Sequence, residues 1–80
     1  MDIRHLQYFI EVALTGSFTK AAEMLRVSQP TISKVVKDME EELGMLLFNR
    51  TGKKAELTNE GQMIFHQAKD IVNSFDNLSS

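Results

Sequence analysis

Ser17-Phe18-Thr19-Lys20-Ala21-Ala22-Glu23-Met24-Leu25-Arg26-Val27-Ser28-Gln29-Pro30-Thr31-Ile32-Ser33 carries the architecture of this chain. The stretch reads as a short helix, a three-residue connection and the opening of a second helix. Ser17 suits an N-cap, because a serine oxygen accepts from the free N–H groups of the first turn. Ala21, Ala22 and Leu25 supply the inner face, and the two alanines let another helix approach closely. Arg26-Val27-Ser28 makes the connection, with apolar Val27 plugging the corner. Ser28 is the next cap, and Pro30 falls in the first turn, where its missing N–H would have had no intrahelical partner. Ile32, Val36, Met39 and Leu43 then recur at i, i+4, i+7 and i+11, the buried stripe of a helix over about 28–43 that Gly44 ends. Two helices joined in this way, the second carrying lysines outward, follow the helix-turn-helix plan.

Upstream, Asp2 caps a first helix whose stripe is Leu6, Phe9, Ile10 and Ala13, stopped by Gly16. Downstream, the helical period breaks from Met45 to Leu57. Leu47-Phe48 and Ala55-Glu56-Leu57 read as short strands around Asn49-Arg50-Thr51-Gly52-Lys53-Lys54, where glycine can turn the chain. A basic hairpin in that position, over 47–57, is a wing. Thr58 caps a last, long helix with a near-continuous apolar seam of Ile64, Ala68, Ile71, Val72, Phe75 and Leu78. That seam is more than three short helices can cover, so part of it is expected to meet a partner chain. Gly61, early in this helix, costs about 1 kcal/mol relative to alanine, which close packing would explain. The fold class is therefore mostly α: a winged helix-turn-helix with a three-helix core and a two-stranded wing, followed by a long dimerisation helix. The division is 1–58 and 59–80.

Composition bounds the function. Eighty residues make one small domain with a modest core. Absence of cysteine removes disulfides, thiol catalysis and zinc–thiolate sites together. His5 and His66 lack any matching ligand spacing, so no metal site is expected. No nucleophile–histidine–acid set stands out, and an enzyme is not expected. The opening residues lack a signal-peptide pattern, and no apolar run reaches the roughly 18 residues of a membrane span. A cytoplasmic location is the simplest expectation. Met24, Met39, Met45 and Met63 are expected to fill the core.

The formal net charge is −2, an unusual balance for a nucleic-acid binder, but its distribution is uneven. Arg26, Lys34 and Lys37 lie in a stretch free of acid, as do Arg50, Lys53 and Lys54. Acid gathers at Asp38 and Glu40-Glu41-Glu42, where it opposes the helix dipole; the sequence offers no account of that run.

Several motifs, in order, resemble the N-terminal domain of LysR-type transcriptional regulators. They are Ser17 to Ala22, Val27 to Ser33, Glu40 with Leu43-Gly44, Leu47 to Arg50, and Leu57-Thr58 with Gly61. The match covers essentially the whole chain. Val35-Val36 stands where Gln-Ile is commoner, Met39 where leucine is usual and Glu60 where alanine is common. Val35 thereby removes a polar side chain from the candidate contact surface. The resemblance implies a bacterial regulator that binds duplex DNA as a homodimer or higher oligomer, pairing its fourth helices. It also implies a small-molecule effector bound by a separate C-terminal domain, with no cofactor in these residues. The chain then reads as a DNA-binding fragment with its linker helix, stopping near the start of that sensor.

Roles follow from position. The N-terminus of the third helix meets the major groove, where Gln29, Pro30, Thr31, Ser33 and Lys34 are expected to face bases. Gln29 matches adenine N6/N7, Pro30 and Thr31 a thymine methyl, and Lys34 a guanine edge. Ser17, Thr19, Lys20, Ser28, Lys37 and Thr58 are expected at backbone phosphates, which fix register. Arg50, Thr51, Lys53 and Lys54 form the wing, one of whose cations is expected in a narrow minor groove. A dimer sets two recognition helices about 34–36 Å or a multiple apart, favouring an imperfect palindrome. The competing reading is a winged-helix module for protein partners, which would not need both basic islands.

Overall fold

The computed structural model describes residues 1–50 and 54–79. Its elements run α1 (Ile3–Thr15), α2 (Phe18–Leu25), α3 (Gln29–Leu43), β1 (Phe48–Asn49), β2 (Glu56–Leu57) and α4 (Asn59–Ser79). The first expected strand, Leu47-Phe48, thus shifts by one residue to Phe48–Asn49, and the second, Ala55-Glu56-Leu57, shortens to Glu56–Leu57. They pair antiparallel, with Phe48 opposite Leu57 and Asn49 opposite Glu56. Thr51 and Lys53, expected at the wing tip, lie outside the described residues.

Local chemistry sets the helix limits. Asp2 Oδ1 accepts from Arg4 N at 2.9 Å and His5 N at 3.1 Å. Chiefly the His5 N–H holds this exposed carboxyl below its ordinary value, so the cap is complete at neutral pH and is lost as pH falls through the lowered value. Ser17 Oγ accepts from Lys20 N at 3.1 Å, and Ser28 Oγ from Thr31 N at 3.3 Å. Gly44 ends α3 at φ 69°. Arg26 ends α2 in the same left-handed region, at φ 58°, where a side chain costs roughly 1 kcal/mol. Its N–H reaches the Ala22 and Glu23 carbonyls, which makes the tight corner between α2 and α3.

The core lies where α1, α2 and α3 cross. Phe9, Val12, Ile32, Val36, Met39, Leu47 and Phe48 are fully buried. Val12, outside the expected stripe of α1, is deeper than Leu6, Ile10 or Ala13. Phe48 joins the wing to this core, with its ring 5.5 Å from both Phe9 and Phe18 in edge-on contacts. Such pairs add about 0.5–1.5 kcal/mol beyond their burial. The methionines divide: Met39 is buried and Met45 half-buried, but Met24 and Met63 are exposed. The expectation that all four fill the core fails for the latter two because the inward faces of α2 and α4 are taken by Ala21, Ala22, Phe65 and Ala68.

The expected boundary at 58/59 falls inside one packed unit. Phe65 and Ala68 belong to the core assembly, and Phe65 meets Phe9 at 6.4 Å. Ala68, expected to face a partner, is 1% exposed and is buried by its own chain. Ile64 is half-buried against the same core. The seam emerges beyond them, with Ile71 52%, Phe75 48% and Leu78 88% exposed; Val72 is half-buried. One stripe on α4 therefore closes the domain with its first half and presents its second half outward.

Gly61 is where α4 passes the wing's entry. A Cβ there would overlap the Leu47 carbonyl oxygen and lie 3.1 Å from a Leu57 methyl. The Leu47 contact is backbone, which cannot swing aside as a side-chain tip could. We expect Gly61→Ala to destabilise the fold by about 1–3 kcal/mol despite alanine's better helix propensity. Denaturant unfolding checks this, and an unchanged or raised midpoint would contradict the close approach.

Candidate nucleic-acid interface

The wing stands on Glu40. Ile32, Val36, Met39 and Leu43 face the core, and Glu40 lies between them at i+4 from Val36 and i−3 from Leu43. Its side chain is consequently 7% exposed. A buried carboxylate must be paired and hydrogen-bonded. Glu40 Oε2 accepts from Leu47 N at 2.8 Å and from Phe48 N at 3.4 Å, while Oε1 meets Arg50 Nη2 at 3.2 Å. The part of the acidic run that the sequence left unexplained is thus the bracket tying α3 to β1.

Arg50 completes the bracket. Its guanidinium also stacks over the Phe18 ring at 5.2 Å, so the start of α2, the start of the wing and the last turn of α3 meet at one side chain. From sequence Arg50 is expected among the wing cations that could enter a groove. It is instead held at the wing's base by an ion pair and a ring face, and Lys54 is an exposed cation on the described part of the wing. Two further bonds hold the return strand. Ala55 N donates to Gly16 O at 2.9 Å, and Thr58 N donates to Leu47 O at 3.0 Å.

These ties shape a cleft of about 230 Å³ lined by Phe18, Gln29, Ser33, Asn49, Arg50, Lys54 and Ala55. The start of α2, the start of α3 and the wing therefore share one face. Gln29 and Ser33, the residues expected to read bases, lie in it beside Lys54. Gln29 Nε2 donates to Ser33 Oγ at 2.8 Å, a bond that does not use the serine's own proton. Pro30, Thr31 and Lys34 are exposed along the same end of α3, and Ser17, Thr19 and Lys20 flank it at the start of α2. Ser28 Oγ and Thr31 Oγ1 share a hydrogen bond of 2.7 Å. Lys37 is exposed but lines the neighbouring groove with Glu41, Met45 and Leu46, across Arg50 from the cleft.

Thr58 does not join the face. Its hydroxyl donates to Leu46 O and accepts from Gly61 N at 2.9 Å. With its one proton used inside the fold, it has none to give a phosphate, which corrects the expected backbone contact. Phe18 and Asn49, which line the cleft, and Glu40, which braces the wing, were not among the residues expected at this face. Only Glu40 carried a signal, an acid on the apolar stripe of its own helix.

Among the described residues, no cluster of histidine and carboxylate side chains gathers to hold a metal ion. No helix there is long and apolar enough to cross a membrane.

The fold and this face define a winged helix-turn-helix domain with a long C-terminal helix. Residues 3–62 match the family model described as "Bacterial regulatory helix-turn-helix protein, lysR family", and the chain belongs to that family. It is 65% identical over 57 residues to the uncharacterized HTH-type transcriptional regulator YwbI of Bacillus subtilis (strain 168), covering 71% of this chain and 19% of that protein. It is 38% identical over 80 residues to the HTH-type transcriptional regulator BenM of Acinetobacter baylyi, covering 100% of this chain and 26% of that one. The relatives it matches are thus named as transcriptional regulators, not enzymes, and the chain spans only 19–26% of the length of these two. Among solved structures it is similar to the BenM DBD/catB site 1 DNA complex, with a TM-score of 0.95, 37% identity, and coverage of 99% of this chain and 88% of that one.

We expect Glu40→Gln to lower stability by about 1–3 kcal/mol, because an amide oxygen cannot hold two backbone donors and neutralise Arg50 together. Amide exchange should quicken most at Leu47 and Phe48. Unaltered protection at those two amides would show that the bracket does not hold the wing.

Proposed function

We propose that this chain is a sequence-specific DNA-binding domain of a transcriptional regulator, with α3 in the major groove and the wing at the adjacent minor groove. One observation carries the reading: Gln29 and Ser33 share a cleft with Lys54. Hydrogen-bonding groups suited to base edges thus lie beside an exposed cation suited to phosphate. The solved BenM DNA complex, so close in backbone, supports it.

In this reading Gln29, Pro30, Thr31, Ser33 and Lys34 meet bases. Ser17, Thr19, Lys20, Ser28 and Lys37 hold the phosphate backbone. Lys54, with Thr51 and Lys53, reaches toward the minor groove. The free N–H groups and dipole at the start of α3 favour an acceptor there. Two copies pair through the outward half of α4, at Ile71, Val72, Phe75 and Leu78, and set two recognition helices on one face of an imperfect palindrome. The regulator acts in the cytoplasm, needs no cofactor in these residues, and takes its small-molecule effector on a separate C-terminal domain.

Fluorescence anisotropy with a duplex selected from a random pool, against a mixed-sequence duplex, tests the DNA reading. Binding should weaken steeply with salt, by roughly 0.9 in log–log slope for each phosphate neutralised. Gln29→Ala should cost about 1–3 kcal/mol on the selected duplex and much less on the mixed one. Undetectable binding at low salt would overturn the proposal, and equal losses on both duplexes would remove Gln29 from base contact. Pairing through α4 has its own test. Phe75→Asp should raise the dimer dissociation constant at least tenfold in sedimentation, whereas an unchanged dimer would exclude that face.

A further inference from the structure

Lys34 does not stand free on α3. Its ammonium lies 3.0 Å from Asp38 Oδ2, one helical turn toward the C-terminus, with the two side chains 75% and 50% exposed. The arrangement is unusual for its place. An acid on the outer face of a helix proposed to enter a polyanion is repelled by phosphate, and a lysine preceding an acid at i,i+4 is the weaker order of such pairs. Its contribution to helix stability is small, as for exposed ion pairs in general.

A lysine otherwise reads sequence poorly. Its ammonium is a compact charge on a flexible stem, which takes any phosphate within reach. Held by Asp38, the ammonium keeps two protons to donate and a restricted direction in which to donate them. Two acceptors side by side, the O6 and N7 of guanine, suit that pair of donors. The carboxylate also offsets the lysine's charge toward phosphates that carry no sequence information.

We propose that Asp38 is a positioning residue for base recognition, holding Lys34 toward a guanine edge in the major groove and away from the phosphate backbone. The proposal rests on the DNA-binding reading above, including the guanine edge expected for Lys34, and adds the residue that confines that lysine.

The test compares Asp38→Asn, Asp38→Glu, Lys34→Met and the Asp38→Asn/Lys34→Met double variant, each binding the selected duplex and a mixed-sequence duplex over a salt series. Freeing Lys34 in Asp38→Asn should strengthen mixed-sequence binding about threefold to tenfold near 0.1 M salt and steepen its salt slope by about one. The selected duplex should gain less, so that the ratio of the two affinities falls. Asp38→Glu should retain part of the ratio. In the Lys34→Met background, Asp38→Asn should leave the ratio unchanged. Replacing individual G·C pairs of the selected duplex should reveal one position whose cost disappears in Lys34→Met. Equal strengthening of both duplexes by Asp38→Asn while Lys34 is present would reduce Asp38 to a repulsive charge and overturn the inference while leaving DNA binding intact. Loss of all duplex binding by the unaltered chain would instead remove the reading beneath it.

Discussion

The buried carboxylate of Glu40 is the interaction on which the geometry of this domain depends. Desolvating an anion costs several kcal/mol unless its oxygens are occupied, and here two backbone N–H groups and a guanidinium occupy them. Those groups begin the wing. The recognition helix and the hairpin are therefore joined at a point charge, not only through the chain between them. Because Arg50 also lies over the Phe18 ring, the same bracket reaches the start of α2. Three segments remote in sequence are thereby fixed within one cleft.

Seen in this way, the charge distribution loses its contradiction. A chain of net charge −2 is a poor candidate for a polyanion only if all its acids face the same solvent. Glu40 is spent inside the fold and Asp38 against Lys34. Among the described residues, Lys20 at the start of α2 and Lys54 on the wing are then exposed cations with no ion pair. Screening confines each charge to about 8–10 Å at ordinary salt, so this local arrangement outweighs the total.

Much of the fold was legible because it rests on local rules. Ser17 and Ser28 announce their helices by hydroxyl caps, Gly16 and Gly44 end theirs by tolerating positive φ, and the period of Ile32, Val36, Met39 and Leu43 fixes which way α3 faces. Gln29, Ser33 and Lys54 reach one face because those limits leave little choice. What was not legible depends on distant partners. Glu40 and Arg50 are ten positions apart, and neither residue type says that it will be buried with the other. Thr58 reads as a cap from sequence, yet its proton goes to Leu46 across the wing. Ala68 fits a continuous seam by spacing alone, and only the packing of α4 on α1 shows that the seam changes partners halfway along.

If the openings of α2 and α3 and the wing act as one surface for duplex DNA, amide chemical-shift mapping of the chain during titration with a duplex will show it. The largest shifts should gather at 17–20, 28–34 and 49–55, with the second half of α4 and Glu41-Glu42 little changed. Shifts centred on the groove of Met45 and Leu46 or on α4, with Gln29 and Ser33 unmoved, would contradict it.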